Sequence, residues 1–294
     1  MNKVGFIGVG IMGKSMVRNL MKAGFELHIY ARTKSKVEDV IGEGAQFHES
    51  IKDCVQDCDA VITIVGFPQD VEEVYFDEGN ILDSAKEGAY LIDMTTTSPQ
   101  IAEKIYAEGT KRGFHVMDAP VTGGDTGAKA GTLSILVGGE KEDYEACMPL
   151  FEAMGTNINY QGKAGCGQHC KLANQIMIAG ILSGVCEALT YAKEQGLDPE
   201  VFMKSVATGA AGSKQLDTFG PKILKDDYAP GFFMKHFIKD MKLALIEANR
   251  KGLSLDVLSM VLANYEELEQ EGYGDLGTQA LMKFYDEEHR NTEE

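Results

Sequence analysis

The sequence predicts an α/β fold: a doubly wound, parallel-sheet domain at the N-terminus followed by an all-α C-terminal domain. Two observations carry this. Short β-type runs alternate with helical runs through the first half, and no convincing alternating strand follows Gly162. Strands separated by helices need crossover connections, and these build a parallel sheet. At 294 residues the chain also exceeds the usual size of one compact domain. The expected division is 1–162 and 163–294.

Taken in order, the expected strands are 4–7, 27–30, 60–65, 90–93, 116–118 and 133–137. The helix expected over 12–23 lines Met16, Val17, Leu20 and Met21 along one stripe and stops at Gly24. Ser98 and Pro99 supply an N-cap and a first-turn proline for a helix reaching about residue 111. Beyond 162, apolar residues run almost continuously over 168–194, as in a helix buried on most faces. That helix ends at Gly196, before a new start at Asp198-Pro199. Another, over 235–251, sets Phe237, Met241, Ala244, Leu245 and Ala248 on one side. The closing Asp286-Glu287-Glu288 and Glu293-Glu294 read as a solvated tail.

The first expected strand runs through Gly8-Val9-Gly10-Ile11-Met12-Gly13 into a helix. In a Rossmann dinucleotide unit with this GxGxxG spacing, the first glycine makes the tight turn. The second lets backbone approach the pyrophosphate, and the third permits close helix-to-strand packing. Gly8, Val9, Gly10, Ile11, Met12 and Gly13 are therefore candidate cofactor residues. An NAD-specific unit carries a carboxylate after the second strand, where this chain has Ala31-Arg32-Thr33-Lys34-Ser35-Lys36. Arg32 and Thr33 suit a 2′-phosphate, which favours NADP and leaves NAD as the alternative.

Composition narrows the partners. Hydrophobic residues at 44% and charged residues at 25% describe an ordinary globular chain. A net charge of -17 repels phosphate backbones and anionic lipids, so neither nucleic acid nor membrane is an expected partner. The longest apolar run, 176–185, falls short of the roughly 20 residues that span a bilayer. The opening segment reads as a strand and turn, without the cleavage site of a signal peptide. Six scattered cysteines suit free thiols in a reducing cytoplasm. Cys166-Gly-Gln-His169-Cys170 has ligand-type residues, but no second cluster completes a zinc site, and no metal is expected.

Four segments in order resemble the β-hydroxyacid dehydrogenase family. They are the opening GFIGVGIMG, Asp118-Ala-Pro-Val-Thr122-Gly123-Gly124, the segment Gly165-Cys-Gly-Gln-His-Cys-Lys171-Leu-Ala-Asn174-Gln175, and Ile238-Lys239-Asp240. The resemblance implies an NAD(P)-dependent hydroxyacid dehydrogenase or semialdehyde reductase. It assigns a substrate carboxylate to Thr122, Gly123 and Gly124, acid–base catalysis to Lys171, and substrate orientation to Asn174. It also places Thr95, Thr96 and Lys239 around the cofactor.

The residues themselves agree with parts of this. Thr-Gly-Gly offers backbone N–H groups and a hydroxyl to a carboxylate. Lys171, Asn174 and Gln175 share one helical face, and a buried lysine has its pKa pushed toward the range where it exchanges protons. Asp240 is a candidate to hold Lys239 or Lys171. Thr122 stands where the family usually has serine, and Gln175 where a second asparagine is frequent. The Lys-Leu-Ala-Asn-Gln run looks like tartronate semialdehyde reductases, whereas Ala31-Arg32-Thr33 looks like NADP-using glyoxylate and succinic semialdehyde reductases. The substrate thus stays open among tartronate semialdehyde, glyoxylate, succinic semialdehyde and 3-hydroxyisobutyrate. The alternatives are a decarboxylating 6-phosphogluconate-type dehydrogenase and a non-catalytic nucleotide sensor on the same fold. The apolar central helix points to a homo-oligomer.

Overall fold

The computed structural model describes residues 1–285; the acidic closing residues read above as a solvated tail lie outside them. The strands are β1 (Lys3–Ile7), β2 (Glu26–Tyr30), β3 (Gln46–His48), β4 (Ala60–Thr63), β5 (Tyr90–Asp93), β6 (His115–Asp118), β7 (Val121–Thr122), β8 (Leu133–Gly139) and β9 (Gly155–Gly162). They form one sheet in the order β3-β2-β1-β4-β5-β6-β8-β7, with β9 on β8.

Strands β1 to β6 pair in parallel, the doubly wound arrangement whose order reverses between β1 and β4. β8 departs from the all-parallel expectation, because it lies antiparallel to β6 and β7 and parallel to β9. Three strands escape sequence reasoning. β3 and β7 span three and two residues, and the polar β9, GTNINYQG, carries no apolar alternation because its side chains are mostly exposed.

Burial on both faces explains the near-continuous apolar strands. Val4, Phe6, Leu27, Ile29 and Ile62 pack with Met16, Val17 and Leu20 of the helix Ile11–Lys22 on one face. Ile7, Val61, Leu91 and Val116 pack with Val71, Tyr75 and Ile105 on the other. Register then lines up the carboxyl ends of the central strands in one row: Tyr30, Ile7, Thr63, Asp93 and Asp118. In open α/β sheets this edge, at the reversal of strand order, is where ligands bind.

Beyond the sheet come the helices Cys166–Glu194, Pro199–Val206, Lys214–Ile223, Met234–Arg250 and Asp256–Gln270, closed by 3-10 turns. Asp198 caps the second of these by accepting from the N–H groups of Glu200 and Val201. The chain divides into compact units at Met1–Lys171 and Leu172–Glu294. The division falls inside the long helix because its first turn is bonded to the sheet, as described below.

At 29 residues that helix is long and apolar enough, by length and composition, to cross a membrane, although its uninterrupted apolar run, 176–185, is shorter than a span. Its Leu172, Ala179, Leu182, Val185, Cys186 and Leu189 pack with Phe237, Met241, Leu258 and Tyr265 in the core of the second unit. That is the position of a core helix.

Candidate active site

The glycine loop follows from steric necessity. Gly8 turns the chain at φ +96°, and a Cβ there would fall 2.1 Å from the Ile64 carbonyl oxygen; one on Gly13 would fall 2.2 Å from the Gly8 oxygen. Gly10 is different, because a Cβ there meets nothing within 4 Å, which leaves open space in front of the helix Ile11–Lys22. That helix has no side-chain N-cap and no acidic residue in its first turn. Its first-turn N–H groups and dipole suit an anion such as a pyrophosphate. Val9 is buried, Met12 half-buried and Ile11 exposed.

At the end of β2, Arg32 and Thr33 are exposed. The Arg32 guanidinium, 78% exposed, lies 3.2 Å from Asp70. Lys34 sits over the Phe47 ring and 3.6 Å from Glu49.

Further along the row, Asp93 is buried at the end of β5. Its Oδ1 accepts from the Thr63 hydroxyl at 2.7 Å and from the Thr95 N–H at 3.1 Å, while its Oδ2 is buried with no hydrogen-bond partner. Burial pushes this carboxyl up to about 6, against the opposing hydrogen bonds from Thr95 and Thr63. The Thr95 hydroxyl, only 1% exposed, accepts from the Val65 N–H at 3.0 Å. It thus stitches the loops after β4 and β5 together. Thr96 alone of the three threonines is half-buried; Thr95 and Thr97 are fully covered.

Asp118, at the end of β6, caps the long helix with both oxygens. Oδ1 accepts from Gly165 N–H and Oδ2 from Gln168 N–H, each at 2.8 Å. Burial raises its pKa, and the two backbone donors hold it down. A Cβ on Gly138 would fall 2.6 Å from Asp118 Oδ1, and one on Gly167 2.4 Å from the Leu136 oxygen. Glycine is therefore obligatory where the helix meets the sheet. The Gln168 side chain completes the attachment: Nε2 donates to the Thr95 carbonyl at 2.7 Å, and Oε1 accepts from the Thr97 N–H at 3.0 Å. Lys171 follows three residues later, 7% exposed.

Thr122 is half-buried on β7, opposite Ser134, and leads into Gly123 at φ +133° and Gly124 at φ +64°. A Cβ on Gly124 would meet nothing within 4 Å, so this turn presents open backbone.

In the second unit a polar chain links half-buried Asn174 and Lys239 through the buried Gln175 and Asp240. Asn174 Nδ2 donates to Gln175 Oε1 at 2.8 Å, and Gln175 Nε2 donates to Asp240 Oδ2 at 2.7 Å. Lys239 Nζ stands 3.0 Å from Asp240 Oδ1, an ion pair rather than a directed hydrogen bond, since that oxygen has no hydrogen-bond partner. Asp240 is fully buried and the Lys239 side chain only 12% exposed. The structure thus brings Asn174, Gln175, Lys239 and Asp240 together, with Lys171 one helical turn before Asn174.

Sequence reasoning missed Asp93, Asp118 and Gln168 as site-building residues, although all three lie inside or beside the motifs it singled out. Nothing in a linear pattern says which of a motif's polar residues face inward. Among the described residues no group of three or more His, Cys, Asp or Glu is placed to hold a metal ion.

Residues 3–162 match the family model of the NAD binding domain of 6-phosphogluconate dehydrogenase, and residues 165–285 that of the NAD-binding domain of NADP-dependent 3-hydroxyisobutyrate dehydrogenase. An oxidoreductase of Bacillus subtilis is 49% identical over 96% of this chain and 98% of its own. The 2-hydroxy-3-oxopropionate reductase of Escherichia coli is 37% identical over 86% of each. Among solved structures, a Mycobacterium tuberculosis 3-hydroxyisobutyrate dehydrogenase with L-serine superposes with a TM-score of 0.88 at 26% identity, covering 96% of this chain and 98% of that one.

Proposed function

The chain belongs to the β-hydroxyacid dehydrogenase family, the group of 3-hydroxyisobutyrate dehydrogenases and 2-hydroxy-3-oxopropionate reductases, and on that premise we propose that it interconverts a small hydroxy acid and its aldehyde or keto acid, with Lys171 as the acid–base group. It is an NAD(P)-dependent oxidoreductase. The nicotinamide, when bound, supplies or takes the hydride at its C4. The observation that carries the assignment is a 7% exposed lysine on an apolar helix, one turn before the hydrogen-bonded and ion-paired chain Asn174–Gln175–Asp240–Lys239.

In the reducing direction the Lys171 ammonium polarises the substrate carbonyl and donates a proton to the developing alkoxide. In oxidation the neutral amine removes the hydroxyl proton. Asn174 orients the substrate, and Gln175 fixes Asn174 by accepting from its amide while donating to Asp240. The open turn Thr122-Gly123-Gly124 receives the carboxylate through backbone N–H groups and the Thr122 hydroxyl, which adds no charge of its own. Gly8 to Gly13 hold the pyrophosphate at the helix N-terminus, and Thr96 and Lys239 serve the nicotinamide side.

Arg32 and Thr33 favour NADP over NAD. An exposed ion pair such as Arg32–Asp70 is worth at most about 1 kcal/mol, so a 2′-phosphate competes well for that guanidinium. The 6-phosphogluconate-type alternative draws on the nucleotide domain alone, since the second half matches the hydroxyisobutyrate model. Six free thiols fit a reducing, cytoplasmic setting.

Exposed Met177 and Tyr191 on the long helix, with Val257 and Met260, support self-association. The test of function is turnover with NADPH or NADH against tartronate semialdehyde, glyoxylate, succinic semialdehyde and methylmalonate semialdehyde, beside Lys171→Ala. We expect kcat to fall about 10²-fold or more in the variant; normal turnover by it ends the proposed mechanism.

A further inference from the structure

We propose that Gln168 is a positioning residue that sets the register of Lys171 against the Thr95–Thr97 loop. The inference rests on the reading of Lys171 as the acid–base group.

Gln168 is fully buried and uses every polar group it has near the sheet. Its backbone N–H goes to Asp118, at the end of β6. Its side-chain amide goes to the Thr95 oxygen and the Thr97 nitrogen, beyond β5. Bonding the C=O of one residue and the N–H of the residue two further on is what a neighbouring strand does, so the amide acts as a one-residue strand laid against the loop. The partners also fix the orientation of the amide, because a carbonyl can only accept and an N–H only donate.

The loop cannot yield to a misplaced helix. Thr95 is held at its other atoms by Asp93 Oδ1 and the Val65 N–H, and Asp93 by the Thr63 hydroxyl. A continuous hydrogen-bonded line therefore runs from β4 through β5 into the first helical turn. Lys171 lies three residues, or about 4.5 Å of helix, beyond Gln168. A displacement of that turn reaches the amine undiminished, and about 1 Å at a reacting group costs on the order of 10²-fold in rate.

A carboxyl group is isosteric with the amide, and only its protonated form can both donate and accept. Gln168→Glu should therefore be impaired near neutral pH, where a carboxylate faces the Thr95 carbonyl, and should regain kcat as the pH falls. Gln168→Met keeps the shape, loses both bonds and should show no such recovery. With NADPH deuterated at the transferred position, both variants should lose about tenfold in kcat near neutral pH while the cofactor KM stays within about threefold. The deuterium isotope effect on kcat should rise as hydride transfer becomes limiting.

A folded Gln168→Met with wild-type kcat and isotope effect overturns the proposal. So does a rate loss in both variants that merely follows their thermal stability and leaves the isotope effect and pH profile unchanged. If Gln168→Met does not fold, the pH recovery of Gln168→Glu decides alone, and its absence counts against the proposal. Lys171→Ala in the same assay separates the two readings: its normal turnover removes the acid–base assignment, whereas its inactivity beside a normal Gln168→Met removes only the role of Gln168.

Discussion

A carboxyl group sealed at the end of a strand resists ionisation unless each oxygen finds a donor, and Asp93 has donors at one oxygen only. With its folded value raised to about 6 from an ordinary 3.8, the folded chain binds the proton more tightly than the unfolded one. The contribution of Asp93 to stability is then greatest below about pH 4. It declines as pH rises through 4 to 6 and is lowest above that window. Asp93→Asn keeps the oxygen that Thr63 and Thr95 use and cannot ionise. Subtracting its stability curve from that of wild type by urea unfolding should leave a slope worth up to about 3 kcal/mol between pH 4 and 7. Parallel curves would mean that Asp93 does not titrate there. At Arg32, exchange for aspartate should move preference from NADPH toward NADH by roughly tenfold or more, because a carboxylate repels the 2′-phosphate and accepts from ribose hydroxyls. An unchanged ratio of kcat/KM values would remove Arg32 from cofactor selection.

Among the elements, the helix Cys166–Glu194 draws its position from its first turn. Asp118 satisfies the N–H groups of Gly165 and Gln168, two donors that an α-helix leaves without partners of its own. Asp118→Ala strands both in a buried place, at a cost of about 3 kcal/mol. We expect the loss in urea midpoint to be accompanied by a fall in kcat, since the turn that loosens is the one ahead of Lys171. Gly167→Ala tests the same junction sterically. Its methyl would meet the Leu136 carbonyl at 2.4 Å, so the helix must shift away from β8. Wild-type stability and activity in that variant would show the junction to be slack.

Over the whole molecule, a charge of -17 opposes binding of an anionic substrate, and in the proposed reaction that opposition is met locally, by the uncharged Thr122-Gly123-Gly124 turn and the buried Lys171. Apolar residues left outside the core of the second unit, Met177 and Tyr191 at 67% exposure and Val257 at 61%, are costly in water. Light scattering should find a dimer or larger species, and Met177→Lys with Tyr191→Lys should shift it toward monomer. A wild-type monomer at micromolar concentration would refute self-association.

Much of this was legible in the linear chain because its physics is local. Strand and helix alternation, the glycine spacing and the stripe Met16, Val17, Leu20 follow from periodicity and backbone sterics. Ser98-Pro99 and Asp198-Pro199 mark helix starts by their own chemistry. Tertiary structure decided the rest. It alone turned the Thr95 hydroxyl inward and left Thr96 half-buried, laid β8 antiparallel to β6, and joined Asn174 to Asp240 across 66 residues of chain. The reason is that a hydrogen bond between distant residues depends on strand register and helix placement, which form only when the apolar faces pack, and no periodicity along the chain records which polar atom will then be left facing which.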